Sequence, residues 1–229
     1  MDKIIIEPIA TMHSDFHTKF GIPRQSGLVD ELTSTIVFTP NYRNPDALRG
    51  IEDYSHLWII WQFSANADQK WSPTVRPPRL GGNTRMGVFA TRSPFRPNFL
   101  GLSCVKLLYV EQTPEYGTVI HVSGADLMNG TPIVDIKPYI PYADRKIEAT
   151  GGFTDTAKAF LLNVDFPAHF LNKLPLEKQQ AAIALLSHDP RPSYQNDPDR
   201  IYGINFAGFD IRFQVWDDNL IVIDVERIQ

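Results

Sequence analysis

Residues 100–139 read LGLSCVKLLYVEQTPEYGTVIHVSGADLMNGTPIVDIKPY, and three apolar runs stand out in them: LGLSCVKLLYV (100–110), GTVIHVSG (117–124) and TPIVDIKPY (131–139). Each is rich in β-branched or aromatic residues, and Gly, Pro and Asx residues separate them at distances too short for a helix. Outward from this stretch the pattern recurs in KIIIEPIA (3–10), STIVFT (34–39), LWIIWQF (57–63) and MGVFAT (86–91). Seven or so strands at irregular spacing, without ten-residue helices between them, predict an all-β barrel or sandwich rather than an alternating α/β sheet. One helix is expected over 44–54, where NPDALRGIEDY places Asn before Pro at the first helical position.

After Tyr142 the pattern changes. ADRKIEATGGFTD is polar with a Gly pair, so a boundary is expected near 145, dividing the chain into residues 1–145 and a linker plus small α+β domain over 146–229. Beyond it lie the apolar stretch KAFLLNVDF (158–166) and a helix over Leu176–Leu186. Three alternating runs follow, RIYGINFAG, FDIRFQVWDD and NLIVIDVERI, the last two joined at Asp217-Asp218-Asn219 as a hairpin.

The chain has 229 residues, 43% hydrophobic and 21% charged, enough apolar material for a core. No apolar run reaches the ~18 residues of a membrane span and MDKIIIEPIA lacks the features of a signal peptide, so a cytoplasmic protein is expected. Cys104 is the single cysteine and sits in an apolar run, which reads as a packing thiol. The net charge of −4 is unevenly spread. Lys70, Arg76, Arg79, Arg85, Arg92, Arg96 and Lys106 lie between Asp68 and Glu111 with no carboxylate among them. Two readings follow: one anion-seeking face, or arginines paired with carboxylates from elsewhere in the fold.

The segment RPPRLGGNTRMGVFATRSPFRPN (76–98) carries five arginines, four prolines and three glycines. Such a composition suits rigid loops that present guanidinium groups and backbone amides to phosphate or carboxylate. FGIPRQSG (20–27) again sets Pro beside Arg, and GADLMNGTPIVDIKPYIPYAD (124–144) holds Asp126 and Asn129 in a Gly-bounded turn, with Asp135 in a strand read as a structural ion-pair partner. There is no GxGxxG, no Walker loop and no GxSxG elbow. His13 and His17, with Asp15 between them, have the spacing of half a metal site without a third ligand nearby, so no metal is expected. His56 and His121 read as half-buried structural residues, and Trp58 and Trp61 as core.

Together these segments resemble the TsaA-like family, the TrmO-type methyltransferases that use S-adenosyl-L-methionine. The matching pieces are FGIPRQSGLV (20–29), YSHLWIIWQF (54–63), WSPTVRPPRLGGNTRMGVFATRSPFRPN (71–98), GADLMNGTPIVDIKPYIPYAD (124–144) and DPRPSY (189–194). The resemblance implies a single-sheeted β-barrel outside the Rossmann class, a small C-terminal domain, and a homodimer with the cofactor near the subunit interface. It also implies N6-methylation of N6-threonylcarbamoyladenosine at position 37, in the anticodon loop of threonine-accepting tRNA. Carried onto this sequence, the cofactor-contacting positions are Pro23, Arg24, Gln25, Phe63, Ser64, Arg92, Leu102 and the turn Asp126, Leu127, Met128 and Asn129. Two positions depart from the family pattern: Ser64 stands where His is frequent, and RPNFL replaces RPNP.

Within that implied chemistry, Arg92 suits the carboxylate of the methyl donor and Asp126 its ribose or ammonium group. Asp126 and Tyr142 are the candidates for removing the N6 proton. Arg24, Arg85 or Arg96 would meet the threonyl carboxylate. Arg76 and Arg79, with the remaining arginines, would hold anticodon-loop phosphates, while Phe95 and Phe99 are available for stacking extruded bases. Two other readings stand beside this one: a non-catalytic RNA-binding barrel, and a metal-dependent hydrolase built on His13, Asp15 and His17.

Overall fold

A computed structural model describes residues 4–66, 70–80, 82–155, 161–191 and 197–228. The first part of the chain supplies β1 (Ala10–His13), β2 (Thr33–Phe38), β3 (His56–Gln62), β4 (Thr74–Val75), β5 (Met86–Gly87), β6 (Leu100–Thr113), β7 (Gly117–Ser123) and β8 (Pro132–Pro138). The remainder supplies α1 (Pro141–Asp144), β9 (Asn163–Asp165), α2 (Ala168–Leu171), α3 (Leu176–Ser187), β10 (Tyr202–Phe206), β11 (Phe209–Trp216) and β12 (Asn219–Arg227).

Six strands run in the order β1-β2-β7-β6-β3-β8, and because β1 pairs with both β2 and β8 the sheet closes into a barrel with antiparallel neighbours. The period-2 alternation of the sequence determines what faces inward. On β3, Leu57, Ile59 and Trp61 are buried while His56, Trp58 and Ile60 are only partly covered. Along β6 the buried positions are Ser103, Val105 and Leu107, and a register shift follows between Leu107 and Tyr109. Met12, Ile36, Ile120, Val122, Leu127 and Ile133 are among the other residues of the barrel core.

The second sheet has the order β10-β11-β12-β9, with β9 parallel to β12. Helix α3 covers it with Ala181, Ala182, Leu185 and Leu186. This core is not confined to the C-terminal part of the chain. Phe16, Val29 and Leu32, from the long connection between β1 and β2, are buried in it, and Phe16 packs against Phe206 at a ring separation of 5.7 Å.

Several expected elements differ. KIIIEPIA yields only the first residue of β1, and Ile4 and Ile5 are 88% and 87% exposed, because no neighbouring strand reaches them. The helix expected over 44–54 is two short 3₁₀ turns, Pro45–Leu48 and Ile51–Asp53. Asn44 does cap the first through its side chain, but Gly50 at φ +84° breaks the helical path between them. In 86–91 only Met86–Gly87 is strand, followed by a 3₁₀ turn over Val88–Ala90. Trp58 is not core: its indole donates to Asp144 Oδ2 at 3.1 Å. Of the stretch 158–166, residues 158–160 lie outside the described part and strand is confined to β9. Helix α3 and the β11–β12 hairpin follow the expectation, the hairpin turn being Asp217-Asp218 with Asn219 already paired to Trp216.

Candidate active site

The cleft is built where β3 ends and β6 begins. Trp61 lies opposite Gly101 across the ladder, and a methyl group at 101 would overlap the indole, so glycine makes the room that Trp61 fills. Past the strand ends the ladder is extended by one bond, Phe63 N–H donating to the Phe99 carbonyl at 2.8 Å. Phe99 has φ +50°, a conformation closed to a proline ring, so a proline at this position could not follow the path that this loop takes.

The loop 20–27 is clamped onto the barrel rim. Gly27 N–H donates to the Gly124 carbonyl at 2.8 Å, and Ser26 Oγ accepts from the Cys104 amide at 3.1 Å. At Gly124 (φ +73°) a Cβ would stand 3.2 Å from the Gly27 backbone, so both the angle and the approach call for glycine. On the third side the turn after β5 is closed by Thr91, whose N–H and hydroxyl both donate to the Val88 carbonyl.

These three walls enclose a cleft of about 500 Å³. Pro23, Arg24 and Gln25 come from one wall, Phe63, Ser64 and Leu102 from the strand ends, and Arg92, Asp126 and Met128 from the remaining turns. Asp126 sits at the end of a donor chain: Trp61 Nε1–H donates to Ser103 Oγ at 2.9 Å, and the Ser103 hydroxyl donates to Asp126 Oδ1 at 2.6 Å. Burial pushes the Asp126 carboxyl above its ordinary value of 3.8, while the bond from Ser103, backbone N–H groups and the Arg92 charge pull against that shift. Arg92 donates to Gln25 Oε1, which orients both side chains. Arg24 points away from this pair, donating to the Arg191 carbonyl at 3.2 Å and tying the loop to the C-terminal part of the chain. Arg96 also lines the cleft and donates to the Thr91 carbonyl at 2.7 Å.

Other expected positions lie elsewhere. Leu127 is a fully buried barrel-core residue. Asn129 Oδ1 accepts from Ser14 N–H and lines a second cavity of about 370 Å³ with His13, Asp15, His121 and Lys178. Tyr142, in α1, is 90% exposed and does not line the cleft. Phe95 and Phe99 are half-buried rather than displayed. Arg76 is exposed, Arg85 is exposed and donates to Thr74 Oγ1 at 3.1 Å, and the side chain of Arg79 lies outside the described part. Asp15 pairs with Lys178 at 2.5 Å and His13 packs edge-on against Tyr116, so the His13, Asp15 and His17 set does not converge. Among the described residues no three His, Cys, Asp or Glu groups are placed to hold a metal ion. Asp135 forms the ion pair with Lys137 at 2.9 Å. Cys104 is half-buried, and burial together with the Asp144 charge raises its thiol pKa.

Sequence reasoning missed Lys19, whose ammonium donates to the Ala65 carbonyl across the cleft, as well as Ser26 and Ser103. Ser103 had a signal: it is the polar residue in phase with Val105 and Leu107 on an inward-facing strand.

Residues 11–145 match the family described as tRNA-methyltransferase O N-terminal domain, and residues 159–228 match the TrmO C-terminal domain. The chain is 39% identical to the tRNA (adenine(37)-N6)-methyltransferase of Escherichia coli (strain K12), covering 99% of both proteins. It is 38% identical to a putative S-adenosylmethionine-dependent methyltransferase, RcsF, of Pseudomonas aeruginosa, covering 96% of both. A crystal structure of TrmO from P. aeruginosa superposes with a TM-score of 0.79 at 31% identity, covering 99% of this chain and 98% of that one.

Proposed function

The chain belongs to the tRNA-methyltransferase O family and is an enzyme of the tRNA (adenine-N6)-methyltransferase type, and from that premise we propose its substrate and the roles of its residues. The reaction is methyl transfer from S-adenosyl-L-methionine to N6 of N6-threonylcarbamoyladenosine at position 37 of threonine-accepting tRNA, carried out in the cytoplasm by a homodimer. Residues 1–145 carry the chemistry and 146–229 form the smaller lobe.

The observation that carries the reading is the convergence of Pro23–Gln25, Phe63–Ser64, Arg92, Leu102, Asp126 and Met128 on one cleft, although they are spread over more than a hundred residues of sequence. The residues fit the donor. About 500 Å³ lies within the range of small-molecule sites. Leu102, Phe63 and Met128 offer an apolar wall, and a buried carboxylate beside a guanidinium matches a ligand with charges of both signs at one end. When bound, the donor supplies an electrophilic methyl group on a sulfonium. Arg92, held by Gln25, binds a carboxylate, and Asp126 accepts from hydroxyl or ammonium groups. Alignment of the acceptor N6 behind the methyl group supplies much of the rate. Because its pKa is raised, the Asp126 carboxylate is also a stronger proton acceptor than an exposed aspartate, which suits it to take the N6 proton. Tyr142 does not reach its own cleft, which leaves Asp126 as the acceptor within one chain. The dimer is supported by exposed apolar side chains along β6, Leu102 at the cleft and Leu108 and Tyr109 further along the strand beside the second cavity. Arg76, Arg79, Arg85 and Arg96 serve the anticodon loop.

Calorimetric titration with S-adenosyl-L-methionine and its demethylated product, beside ATP, tests the reading. Saturable binding of the two sulfur ligands alone is expected. Absence of binding both with and without tRNA would overturn it.

A further inference from the structure

Phe89 is 73% exposed, and nothing in the reading above uses it. Its surroundings make it a fixed feature rather than a loose side chain. It occupies the middle of the 3₁₀ turn Val88–Ala90, whose first residue is buried and whose end is locked by the two bonds from Thr91 to the Val88 carbonyl. Val88 N–H in turn donates to the Pro73 carbonyl at 3.0 Å, tying the turn to the neighbouring loop. The Arg96 guanidinium lies 5.9 Å from the centre of the Phe89 ring while donating to the Thr91 carbonyl, so the ring is backed by a cation. Arg96 also lines the cleft, which sets Phe89 at its rim.

A single exposed ring is ordinary on a protein surface, but this one stands on a locked turn, has a guanidinium behind it and lies beside the cleft. The charge around it selects the partner: residues 69–110 contain no carboxylate and seven basic residues. We propose that Phe89 is a stacking platform for an unpaired base of the RNA anticodon loop, with Arg96 beneath the ring, holding the loop so that the neighbouring base enters the cleft. An exposed ring face accepts any base, and a basic rim holds the backbone that carries it. The proposal rests on the tRNA-methyltransferase reading for its location, and on Phe89 for its content.

The test compares the parent protein with Phe89→Ala, Phe89→Trp and Phe89→Leu. Affinity for a threonine-tRNA anticodon stem–loop is followed by fluorescence anisotropy over a range of salt, and methyl transfer to the same RNA is assayed in parallel. Phe89→Ala is expected to weaken RNA binding by about tenfold or more, with Phe89→Trp restoring it and Phe89→Leu failing to. A stacking contact releases no counterions, so the line of log affinity against log salt is expected to shift in parallel, whereas Arg85→Ala lowers its slope by about one. Donor affinity, measured calorimetrically, stays within twofold. The proposal is overturned if Phe89→Ala binds RNA within twofold of the parent, or if Phe89→Leu restores binding and Phe89→Ala changes the oligomeric state, since the ring then covers a second copy of this chain. A parent that binds RNA through Phe89 but transfers no methyl group would instead sink the catalytic reading and leave the platform standing.

Discussion

At position 126 a carboxyl group is kept where water is scarce, and the cost of that placement can be measured. Burial raises its pKa, so the folded protein binds the proton more tightly than the unfolded chain does. The contribution to stability is therefore intact below the ordinary value of 3.8 and declines as pH rises through the raised one. Asp126→Asn removes this titration. Its melting temperature relative to the parent should rise between pH 4 and pH 7, while its affinity for S-adenosyl-L-methionine falls at least tenfold. A parent that instead gains on the variant towards neutral pH would mean that Arg92 and Ser103 outweigh desolvation. Two residues away in space from this carboxyl, through Ser103 and Trp61, stands Gly101. Gly101→Ala forces the indole aside and is expected to cost about 1–3 kcal/mol by chemical denaturation, as overpacking does. It should also weaken donor binding, because the displaced indole no longer supports the Ser103 hydroxyl.

Among the elements, the clamp between loop 20–27 and the turn after β7 decides the shape of the cleft. It depends on one hydrogen bond between glycines and on a left-handed residue that leaves no room for a side chain. Gly124→Ala is expected to lose about 1–2 kcal/mol from the backbone angle alone. Its second effect is displacement of Pro23–Gln25, read as weaker donor binding at a temperature where the variant is still fully folded. Unchanged donor affinity would separate the loop from the site. The basic segment shows how an element can be legible in kind and illegible in detail. Its prolines and glycines do produce short turns held by backbone bonds, as the composition suggested. Composition alone did not tell these arginines apart and only the family resemblance singled out Arg92: Arg92 and Arg96 line the cleft, while Arg85 reaches Thr74 instead.

For the whole molecule, the two hydrophobic cores are joined by the connection between β1 and β2. Phe16 is buried in the C-terminal core, and the loop that walls the cleft begins four residues further on, at Phe20. Phe16→Ala is expected to destabilise by about 3–5 kcal/mol and to weaken donor binding as well. Leu220→Ala, a truncation in the same core on β12, should cost about 2–5 kcal/mol yet leave donor affinity near that of the parent. Equal effects of the two on binding would show that general loosening, and not the Phe16 anchor, reaches the cleft. Asp15 with Lys178, and Arg24 with the Arg191 carbonyl, are further ties between the two parts.

The strands that form the barrel were readable because alternation is a local property: Leu57, Ile59 and Trp61 announce an inward face whatever lies across from them. The cleft segments were readable as unusual pieces of chain, and most of the residues taken from them line one cavity. Closure of the sheet through β1, the exposure of Ile4 and Ile5, the burial of Phe16 in the other core and the departure of Tyr142 and Asn129 from the cleft depend on contacts between distant segments. No local pattern encodes those contacts. The charge state of Asp126 belongs with them, since desolvation exists only after the walls have come together. By itself, then, the sequence determined the strand pattern and the chemical vocabulary of the site, whereas the tertiary structure decided which of those groups meet and what their meeting does to their chemistry.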